Sequence, residues 1–411
     1  MARNHPDFIE AYYAYAKDSF APDKFHYWAG LMMIAAALER KCWAVQVTPA
    51  GAMVMHHPNM YFMFIALPAE GKTTAGDRAR DFLLEIVDEQ GKINFIPPNI
   101  TDAAFWEAVK CKKAFYVGEQ KYEHNSAFYY AGEASNALRE IKGGGDIFPF
   151  ITNVYDCKPM AKSTKKVGVT AIDNPCMNVL ACSTPDNLKN MLSDTSFMGG
   201  FASRFTYILF DEQIIRNTEW IEYSGQVAPD WRNSPKAVSL IQDLNDISRM
   251  TGRFTTTAKW RQSFKEFFPE NDRARYAMSN EKEKALVGRK HTSIIKMSML
   301  VAASESSERV LHNRHWYRAR QLVESLEASH KKVIALTHDA RSASGLSAII
   351  LDELKKTGGH QAISKLKRVI LKSGADTDSI NKTLDYMVKE SHELVIEPID
   401  GDSCYRLTGK T

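Results

Sequence analysis

The sequence lacks an apolar run of the length that a membrane-spanning helix needs. Its longest apolar stretch, around residues 31–38, is far shorter than the roughly 20 residues that cross a bilayer. The first residues, Met1-Ala-Arg-Asn-His-Pro, also lack the pattern of a signal peptide. From these two absences we expect a cytoplasmic protein without a membrane partner.

Cysteine pairs at metal-binding or redox spacing are missing as well. The six cysteines are scattered, with no C-x-x-C pair and no nearby histidine at ligand spacing (Cys42, Cys111, Cys157, Cys176, Cys182, Cys404), which argues against a zinc site and a disulfide framework. The net charge of +4 is too small to indicate a polyanionic partner by itself. A chain of 411 residues, 44% of them hydrophobic, can bury a large core, so two or three domains are expected.

The strongest pattern that is present is a strand followed by a phosphate-binding loop. The apolar run of residues 59–65 predicts a parallel strand buried on both faces. It leads into a Walker A pattern that has Ala in place of the first Gly, and a helix-forming segment follows at residues 75–85. We therefore expect nucleotide phosphates at this loop (Ala66, Ala69, Glu70, Gly71, Lys72, Thr73, Thr74).

The residue types of this loop predict ATP and Mg²⁺ as the ligands. Gly71 lets backbone N–H groups approach phosphate oxygens at the N-terminus of a helix, which favours anions. Lys72 would neutralise the β- and γ-phosphates, and the Thr73 hydroxyl would bind Mg²⁺.

Hydrolysis also needs an acid at the end of a second strand. The apolar residues 126–131 are followed by Gly132 and Glu133, so we expect Glu133 to polarise the attacking water or to hold the Mg²⁺ shell. Gly132 stands where an Asp usually precedes the Glu. Residues 113–119 also end in an acid, Glu119, and either form a rival strand or join the next strand in a hairpin.

The segment of residues 176–210 predicts the last strands of the same sheet. Its first strand ends in Ser183 and Thr184, which would sense the γ-phosphate or would instead cap the helix that begins at Pro185. Arg204 precedes the last strand and would reach the nucleotide of a neighbouring subunit, unless it forms a surface salt bridge. Arg289 is a weaker candidate for a second sensor.

Four lysines follow Asp156 in a segment without a core pattern (Lys158, Lys162, Lys165, Lys166). A flexible basic loop of this kind would contact the phosphate backbone of single-stranded DNA without reading its sequence. A solvated hairpin is the alternative.

The rest of the chain predicts helices and a small C-terminal domain. Residues 251–338 form a helical pattern that suggests a lid. Beyond it, residues 346–356, 363–372 and 377–390 predict three helices, and residues 394–407 predict a hairpin, which is the order of a winged helix. The second helix has a basic face (Lys365, Lys367, Arg368, Lys372), so this domain would bind DNA or, as many winged helices do, protein.

Together these patterns predict an α/β fold. We expect a P-loop NTPase core with a mostly parallel sheet, RecA-like or AAA+-like, in the class whose sheet has an additional strand and a catalytic Glu. An N-terminal helical segment (1–55) would precede the core (56–215), and the helical lid (216–340) and the winged helix (341–411) would follow it.

Several short motifs resemble a phage and prophage family of replicative helicase ATPases, the helicase part of primase-helicase proteins. The likeness covers about residues 20–310. It is carried by the P-loop, Thr101-Asp-Ala-Ala-Phe-Trp, Ala131-Gly-Glu-Ala, Val154-Tyr-Asp, Asn174-Pro-Cys-Met-Asn-Val-Leu-Ala-Cys-Ser-Thr-Pro and Gly200-Phe-Ala-Ser-Arg-Phe.

The resemblance implies DNA replication, ATP and a ring of subunits, in the bacterial cytoplasm if the gene is a phage gene. The expected function is an ATP-dependent DNA translocase or helicase that acts on single-stranded DNA, with a primase, a single-strand-binding protein or other replication proteins as further partners. Two alternatives remain: an ATP-switched initiator or helicase loader that binds duplex DNA, and a P-loop scaffold that has lost hydrolysis.

Overall fold

The computed structural model describes residues 3–17, 19–48, 50–87, 92–98, 100, 102–137, 140–141, 145–164, 168–191, 200–212, 230–336, 343–371, 377–389, 393–399 and 402–408. The chain forms two compact units, Met1–Ile334 and Ala335–Thr411. The expected segments 1–55 and 56–215 therefore belong to one unit. Lys165, Lys166 and Lys372 lie outside the described residues.

The first unit combines helices and strands along its whole length. Its described helices are α1 (Phe8–Ala16), α2 (Asp23–Leu38), α3 (Lys72–Leu84), α4 (Asp102–Val109), α5 (Ala134–Ala137), α6 (Ile147–Tyr155), α7 (Pro185–Met191), α8 (Pro235–Ser248), α9 (Ala258–Ala277), α10 (Glu281–Glu305), α11 (Asn313–Glu324) and α12 (Glu327–Leu336), the last of which runs past the boundary. Its described strands are β1 (Cys42–Val47), β2 (Met53–His56), β3 (Tyr61–Ile65), β4 (Phe95–Ile96), β5 (Lys112–Val117), β6 (Gln120–Ala131), β7 (Glu140–Ile141), β8 (Gly145–Asp146), β9 (Met160–Thr164), β10 (Gly168–Ile172), β11 (Pro175–Ser183), β12 (Thr206–Leu209), β13 (Gly252–Thr256) and β14 (Val310–Leu311).

A parallel sheet organises this unit, in agreement with the expected α/β class. Its strand order is β12-β3-β11-β6-β4, all parallel, and β5 pairs antiparallel with β6 at the side. The register pairs Ser183 with Ile65, and Ala181 with Ala131. The carboxyl ends of β3, β11 and β6 therefore meet at one edge of the sheet.

Both faces of this sheet are covered, which explains why β3 is apolar throughout. Side chains alternate along a strand, so Phe62 and Phe64 pack into a core with α2 and α3, while Tyr61, Met63 and Ile65 pack into a second core with α4 and α6. Helix α2 is buried at thirteen of its sixteen residues, as expected of a helix that is apolar on all sides.

A second, four-stranded sheet lies in segments that we expected to be helical. Its order is β14-β13-β1-β2, so residues 42–45 and 252–256 form strands instead of helices. Strand β1 pairs in parallel with β13, which lies far along the chain, and antiparallel with β2. The long-range pairing of β1 with β13 overrides the local helical pattern. Of the residues of β1, Cys42 and Ala44 are buried.

Two hairpins lie in segments for which the sequence left alternatives open. Strands β5 and β6 are joined by a tight turn that contains Gly118 and Glu119, so the segment before β6 is a hairpin arm. Strands β9 and β10 pair antiparallel directly before β11, and the lysine-containing segment is therefore a hairpin in its described part.

The second unit contains α13 (Ala343–Lys356), β15 (His360–Ala362), α14 (Ile363–Leu371), α15 (Thr377–Lys389), β16 (Leu394–Ile399) and β17 (Asp402–Leu407). The three helices and the final hairpin lie where the sequence predicted them, and β15 is an addition. The strands form an antiparallel sheet in the order β15-β17-β16. Leu346, Ile350, Leu366 and Leu384 belong to its separate core.

None of the described helices is both long enough and apolar enough to cross a membrane.

Candidate nucleotide-binding site

The predicted phosphate loop connects the end of β3 to the start of α3. Gly71 is the residue before the helix and has a φ of 74°, and Ala69 has a φ of 65°. A Cβ on Gly71 would lie 2.7 Å from the Ala21 Cα and 2.9 Å from the Phe20 carbonyl oxygen. Glycine is therefore required here both by the backbone conformation and by the close approach of the N-terminal segment.

Lys72 is the first residue of α3, and its side chain folds back over the loop. Its Nζ donates hydrogen bonds to the Ala66 carbonyl (3.0 Å) and to the Leu67 carbonyl (2.9 Å). Burial lowers the pKa of the Lys72 ammonium, while the nearby Cys182 and the carboxylates of Glu133 and Glu70 act in the opposite direction. A phosphate would offer this ammonium a stronger, charged acceptor than the two carbonyls.

The next residues of α3 face outward and lie close to β6. The side chains of Thr73 and Thr74 are exposed, and the Tyr130 hydroxyl donates to the Thr73 carbonyl at 3.3 Å. A Cβ on Gly76 would lie 2.6 Å from the Tyr130 ring. Helix α3 therefore packs unusually near β6, and this places Thr73 beside Gly132. A Cβ added to Gly132 would lie 3.8 Å from the Thr73 methyl group.

Glu133 lies at the carboxyl end of β6, on the same sheet edge as the loop. Its Oε1 accepts hydrogen bonds from the Ser135 hydroxyl (3.0 Å) and from the Asn187 amide (3.2 Å). Glu119 lies in the turn at the other end of β6. Because a strand advances ~3.3 Å per residue, about 40 Å separates the two positions. The rival acid is therefore far from the loop.

Strand β11 separates β3 from β6 and ends at the same edge. Ser183 is buried, and its hydroxyl donates to the Thr184 carbonyl at 3.1 Å. Its own carbonyl accepts from the Ala66 N–H at 3.3 Å, which ties this strand to the first residue of the loop. The Thr184 hydroxyl accepts from the Asn187 N–H at 3.2 Å. Thr184 thus has the capping geometry that we considered as the alternative to a sensor.

Arg204 lies at the opposite edge, before β12. Its guanidinium donates to Asp156 (2.8 Å) and to the Gly200 carbonyl (2.8 Å), and its side chain is largely buried. The expected alternative of an ion pair is present, with the Arg204 side chain 9% exposed and the Asp156 side chain 36% exposed. Arg289 is part of the same group: it donates to the Ser203 hydroxyl at 3.1 Å and lies 3.9 Å from Asp156, and burial lowers its pKa.

The basic candidates for DNA contact lie in two places. Lys158 is exposed just before β9, and Lys162 belongs to β9 itself. In the second unit, Lys365 and Arg368 are exposed on α14, and Lys367 is partly buried.

The residues at the loop suit ATP and Mg²⁺ chemically. A buried lysine that is bound only to carbonyls, an exposed Thr73 hydroxyl and a nearby carboxylate are the groups that such a ligand requires. Among the described residues no group of three or more His, Cys, Asp or Glu side chains is arranged to hold a metal ion. Mg²⁺ usually takes only one or two protein ligands and completes its shell with phosphates and water.

Three residues at this site were missed by sequence reasoning: Asn187, Tyr130 and Gly76. Asn187 contacts Glu133 from α7, and Tyr130 and Gly76 set the distance between α3 and β6. A possible signal was the position of Asn187 in the first turn of the helix after Ser183, since α7 begins at the edge where ligands of parallel sheets bind.

A comparison with models of protein families found no match for this sequence, and a search among curated proteins found none either.

Proposed function

We propose that the chain is a P-loop ATPase that uses hydrolysis of ATP to move along DNA, as a translocase or helicase of phage DNA replication. The observation that carries the proposal is the meeting of Lys72, Thr73 and Glu133 at one edge of a parallel sheet. One strand, β11, lies between the loop strand and the strand that carries the acid. This strand order supports the proposal, because a strand between the loop strand and the acid strand is what we expect of the additional-strand class named above.

The roles of the residues follow from this arrangement. Backbone N–H groups at the start of α3 and the Lys72 ammonium would bind the phosphates. The Thr73 hydroxyl would hold Mg²⁺, which supplies charge neutralisation when bound. Glu133 would accept a proton from the attacking water, and Asn187 would orient its carboxylate through the hydrogen bond at Oε1.

Arg204 and the basic surfaces extend the proposal to a ring on DNA. Arg204 would reach the nucleotide of a neighbouring subunit. To do so, its guanidinium would leave Asp156 and bind the phosphate instead. The hairpin with Lys158 and Lys162, together with Lys165 and Lys166, would contact single-stranded DNA. The second unit, as a winged helix, would add a further DNA contact or a protein contact.

The test is the steady-state ATPase rate with and without single-stranded DNA, with the molar mass measured by light scattering. We expect DNA to stimulate an oligomeric wild type. Lys72→Ala should abolish turnover, and Glu133→Gln should lower it by about 10²–10⁴-fold while ATP still binds. Glu119→Gln is the matched control, because its carboxylate lies at the far end of β6, and it should retain the wild-type rate.

Arg204 needs a control of its own, because its removal also breaks an ion pair within the chain. Asp156→Asn weakens the same pair but keeps the guanidinium. If Arg204 acts on a neighbour's nucleotide, Arg204→Ala slows hydrolysis by a large factor and Asp156→Asn does not. Equal losses in both variants would show that the arginine serves only the fold.

A second candidate function is an ATP-dependent switch without rapid hydrolysis, either a loader or a scaffold. It is favoured by Gly132, which supplies no carboxylate beside Thr73, and by the two hydrogen bonds that hold Glu133. If the chain binds ATP but does not hydrolyse it, with or without DNA, its function is this switch and not a motor. A preference for duplex over single-stranded DNA would indicate a loader.

A further inference from the structure

A cavity of about 680 Å³ lies at the edge of the parallel sheet where the strands begin. Asn59, just before β3, and Asn174, just before β11, are part of its wall. The phosphate loop follows β3 at the other edge, so the two places are separate. The volume is in the range of about 300–1,000 Å³ that small-molecule sites occupy.

One face of α10 supplies three hydrogen-bond donors to this cavity. Arg289, Thr292 and Lys296 all line it. Their spacing of three and then four residues places them on the same side of a helix. Arg40 contributes a further cation from the segment after α2, and Lys158 another from the segment after α6.

The described residues that line this cavity carry more positive than negative charge, since four cations face one carboxylate there. Lys296 is 4% exposed, and its Nζ is held by neutral groups: it donates to the carbonyl and the side-chain oxygen of Asn59, and lies 3.8 Å from the centre of the Tyr155 ring. Arg40 donates to the carbonyls of Cys157 and Pro175. Neither cation forms an ion pair with an acid in the described part of the chain.

Asp156 is the acid that lines the cavity, and it is already shared. It accepts from Arg204 at 2.8 Å and lies 3.9 Å from Arg289. Cations that are withdrawn from water without a counter-ion raise the free energy of the folded state, so a bound anion would lower it.

A buried histidine adds an acceptor to these donors. His57 lines the cavity and is 6% exposed. Its Nδ1 lies 3.1 Å from the Cys42 carbonyl, which can only accept, so Nδ1 carries the proton. Among the described residues its Nε2 has no hydrogen-bond partner, so it can accept a hydrogen bond. Hydrogen phosphate has several acceptor oxygens and one O–H donor, whereas sulfate at neutral pH has no donor.

We propose that this cavity is a second anion site, which binds a phosphate group by Lys296, Arg289, Thr292 and Arg40. The phosphate is either inorganic or the phosphate tail of a small nucleotide. Met53 and Met55 of β2, both exposed at the cavity wall, would cover the organic part of a nucleotide. The site does not depend on the function proposed for the phosphate loop.

The experiment is calorimetric titration of the full chain carrying Lys72→Ala, which removes the loop lysine, at constant ionic strength. Inorganic phosphate, ATP and sulfate are the probes. We expect saturable binding of phosphate at one site and weaker binding of sulfate. Displacement of phosphate by ATP would identify a nucleotide tail as the ligand, and binding of phosphate alone would identify the free anion.

Three variants in the same background assign the binding to the cavity. Lys296→Met and Arg289→Gln should each weaken phosphate binding by about tenfold or more, since each removes a charge-assisted hydrogen bond. Lys284→Gln is the matched control on α10, because Lys284 does not line the cavity and pairs with Glu281. Arg289 is more exposed than Lys296, so its variant covers the case in which Lys296→Met does not fold. Phosphate affinity that is absent, or unchanged in Arg289→Gln, overturns the proposal.

Discussion

Replacement of Gly71 by alanine tests how the N-terminal segment and the phosphate loop depend on each other. The residue has a positive φ of 74°, and an added Cβ would lie 2.7 Å from the Ala21 Cα. The three nearest atoms, two in Ala21 and one in Phe20, all belong to the backbone. They cannot rotate away as a flexible side chain would, so either residues 20–21 or the loop must shift.

The expected loss of stability has two parts. The left-handed conformation costs an alanine about 1–2 kcal/mol, and overlap in a packed region adds about 1–3 kcal/mol. Gly71→Ala should therefore lower the free energy of unfolding by about 2–5 kcal/mol. Gly118→Ala is the control: its φ is 61°, and beyond its chain neighbours no described atom lies within 4 Å of the added Cβ, so only the first part, about 1–2 kcal/mol, applies.

Urea denaturation followed by tryptophan fluorescence measures this difference. All seven tryptophans precede residue 335, so the signal reports the first unit alone. Binding of a fluorescent ATP analogue should also be lost in Gly71→Ala and kept in Gly118→Ala, since the backbone N–H groups after Gly71 are the proposed phosphate donors. Equal stability losses in the two variants would refute the steric argument.

Three further predictions concern polar side chains that are buried or partly buried. Burial lowers the pKa of His57 to about 3. Between about pH 6.5 and 3, the unfolded chain therefore binds a proton that the folded chain does not. The contribution of the neutral His57 to the free energy of unfolding is fully present above this range and decreases as the pH falls through it. By pH 5 the expected loss of stability is about 2 kcal/mol. His57→Asn keeps an N–H donor but does not titrate, so in this variant the stability difference between pH 7.5 and pH 5, measured by urea unfolding, should be smaller by that amount. An unchanged difference would contradict the prediction. Lys113→Met should lower the free energy of unfolding by up to about 3–5 kcal/mol, because the buried Glu39 loses its partner at 2.7 Å and keeps Lys41 at 3.7 Å. Lys112→Met, which breaks an exposed pair of the same length, should change urea stability little. Asn187→Ala should lower kcat for ATP with little change in KM, because it frees the carboxylate of Glu133 without touching the phosphates; a change in KM alone would argue for a different role.

The sequence predicted those parts of the fold whose signals are local. The strand β3, the loop and α3 follow one another directly, and each has a pattern of its own: an apolar run, a glycine with a lysine, and a helical segment. The elements of the second unit were predictable for the same reason, because its helices and final hairpin each fall within a short window. Only β15, three residues long, was too short to be recognised.

The parallel part of the second sheet could not be predicted, because β1, β13 and β14 pair across long stretches of the chain. Strand β1 pairs with β13, and the Cα partners Cys42 and Gly252 are separated by most of the first unit. Residues 42–47 follow a buried helix and continue its apolar character, so a single window favours more helix. What decides the conformation is the partner strand, which no local pattern contains.

The sequence indicated those residues of the candidate site that belong to a local pattern, and it missed those that reach the site only through tertiary contacts. Lys72 and Thr73 follow from the loop pattern, and Glu133 from the end of an apolar strand. Asn187 was missed because asparagine in the first turn of a helix is common, and only the fold brings its amide to the carboxylate. The ion pair between Arg204 and Asp156 could not be predicted from the sequence either, since only the tertiary structure brings the two residues together.

The position of Arg204 restricts which nucleotide it could contact. Arg204 precedes Thr206, whose Cα partner is Phe62, so it lies near the beginning of β3, while the loop begins after Ile65. The path from Met60 to Ala66 is about 20 Å at ~3.3 Å per residue, and the buried strand fills it. An arginine side chain cannot cross that distance to the phosphate loop of its own chain. If Arg204 contributes to hydrolysis, the phosphate that it contacts must therefore belong to a second copy of the protein. In that case, mixing Arg204→Ala subunits with subunits that keep Arg204 but carry Lys72→Ala must restore the lost activity.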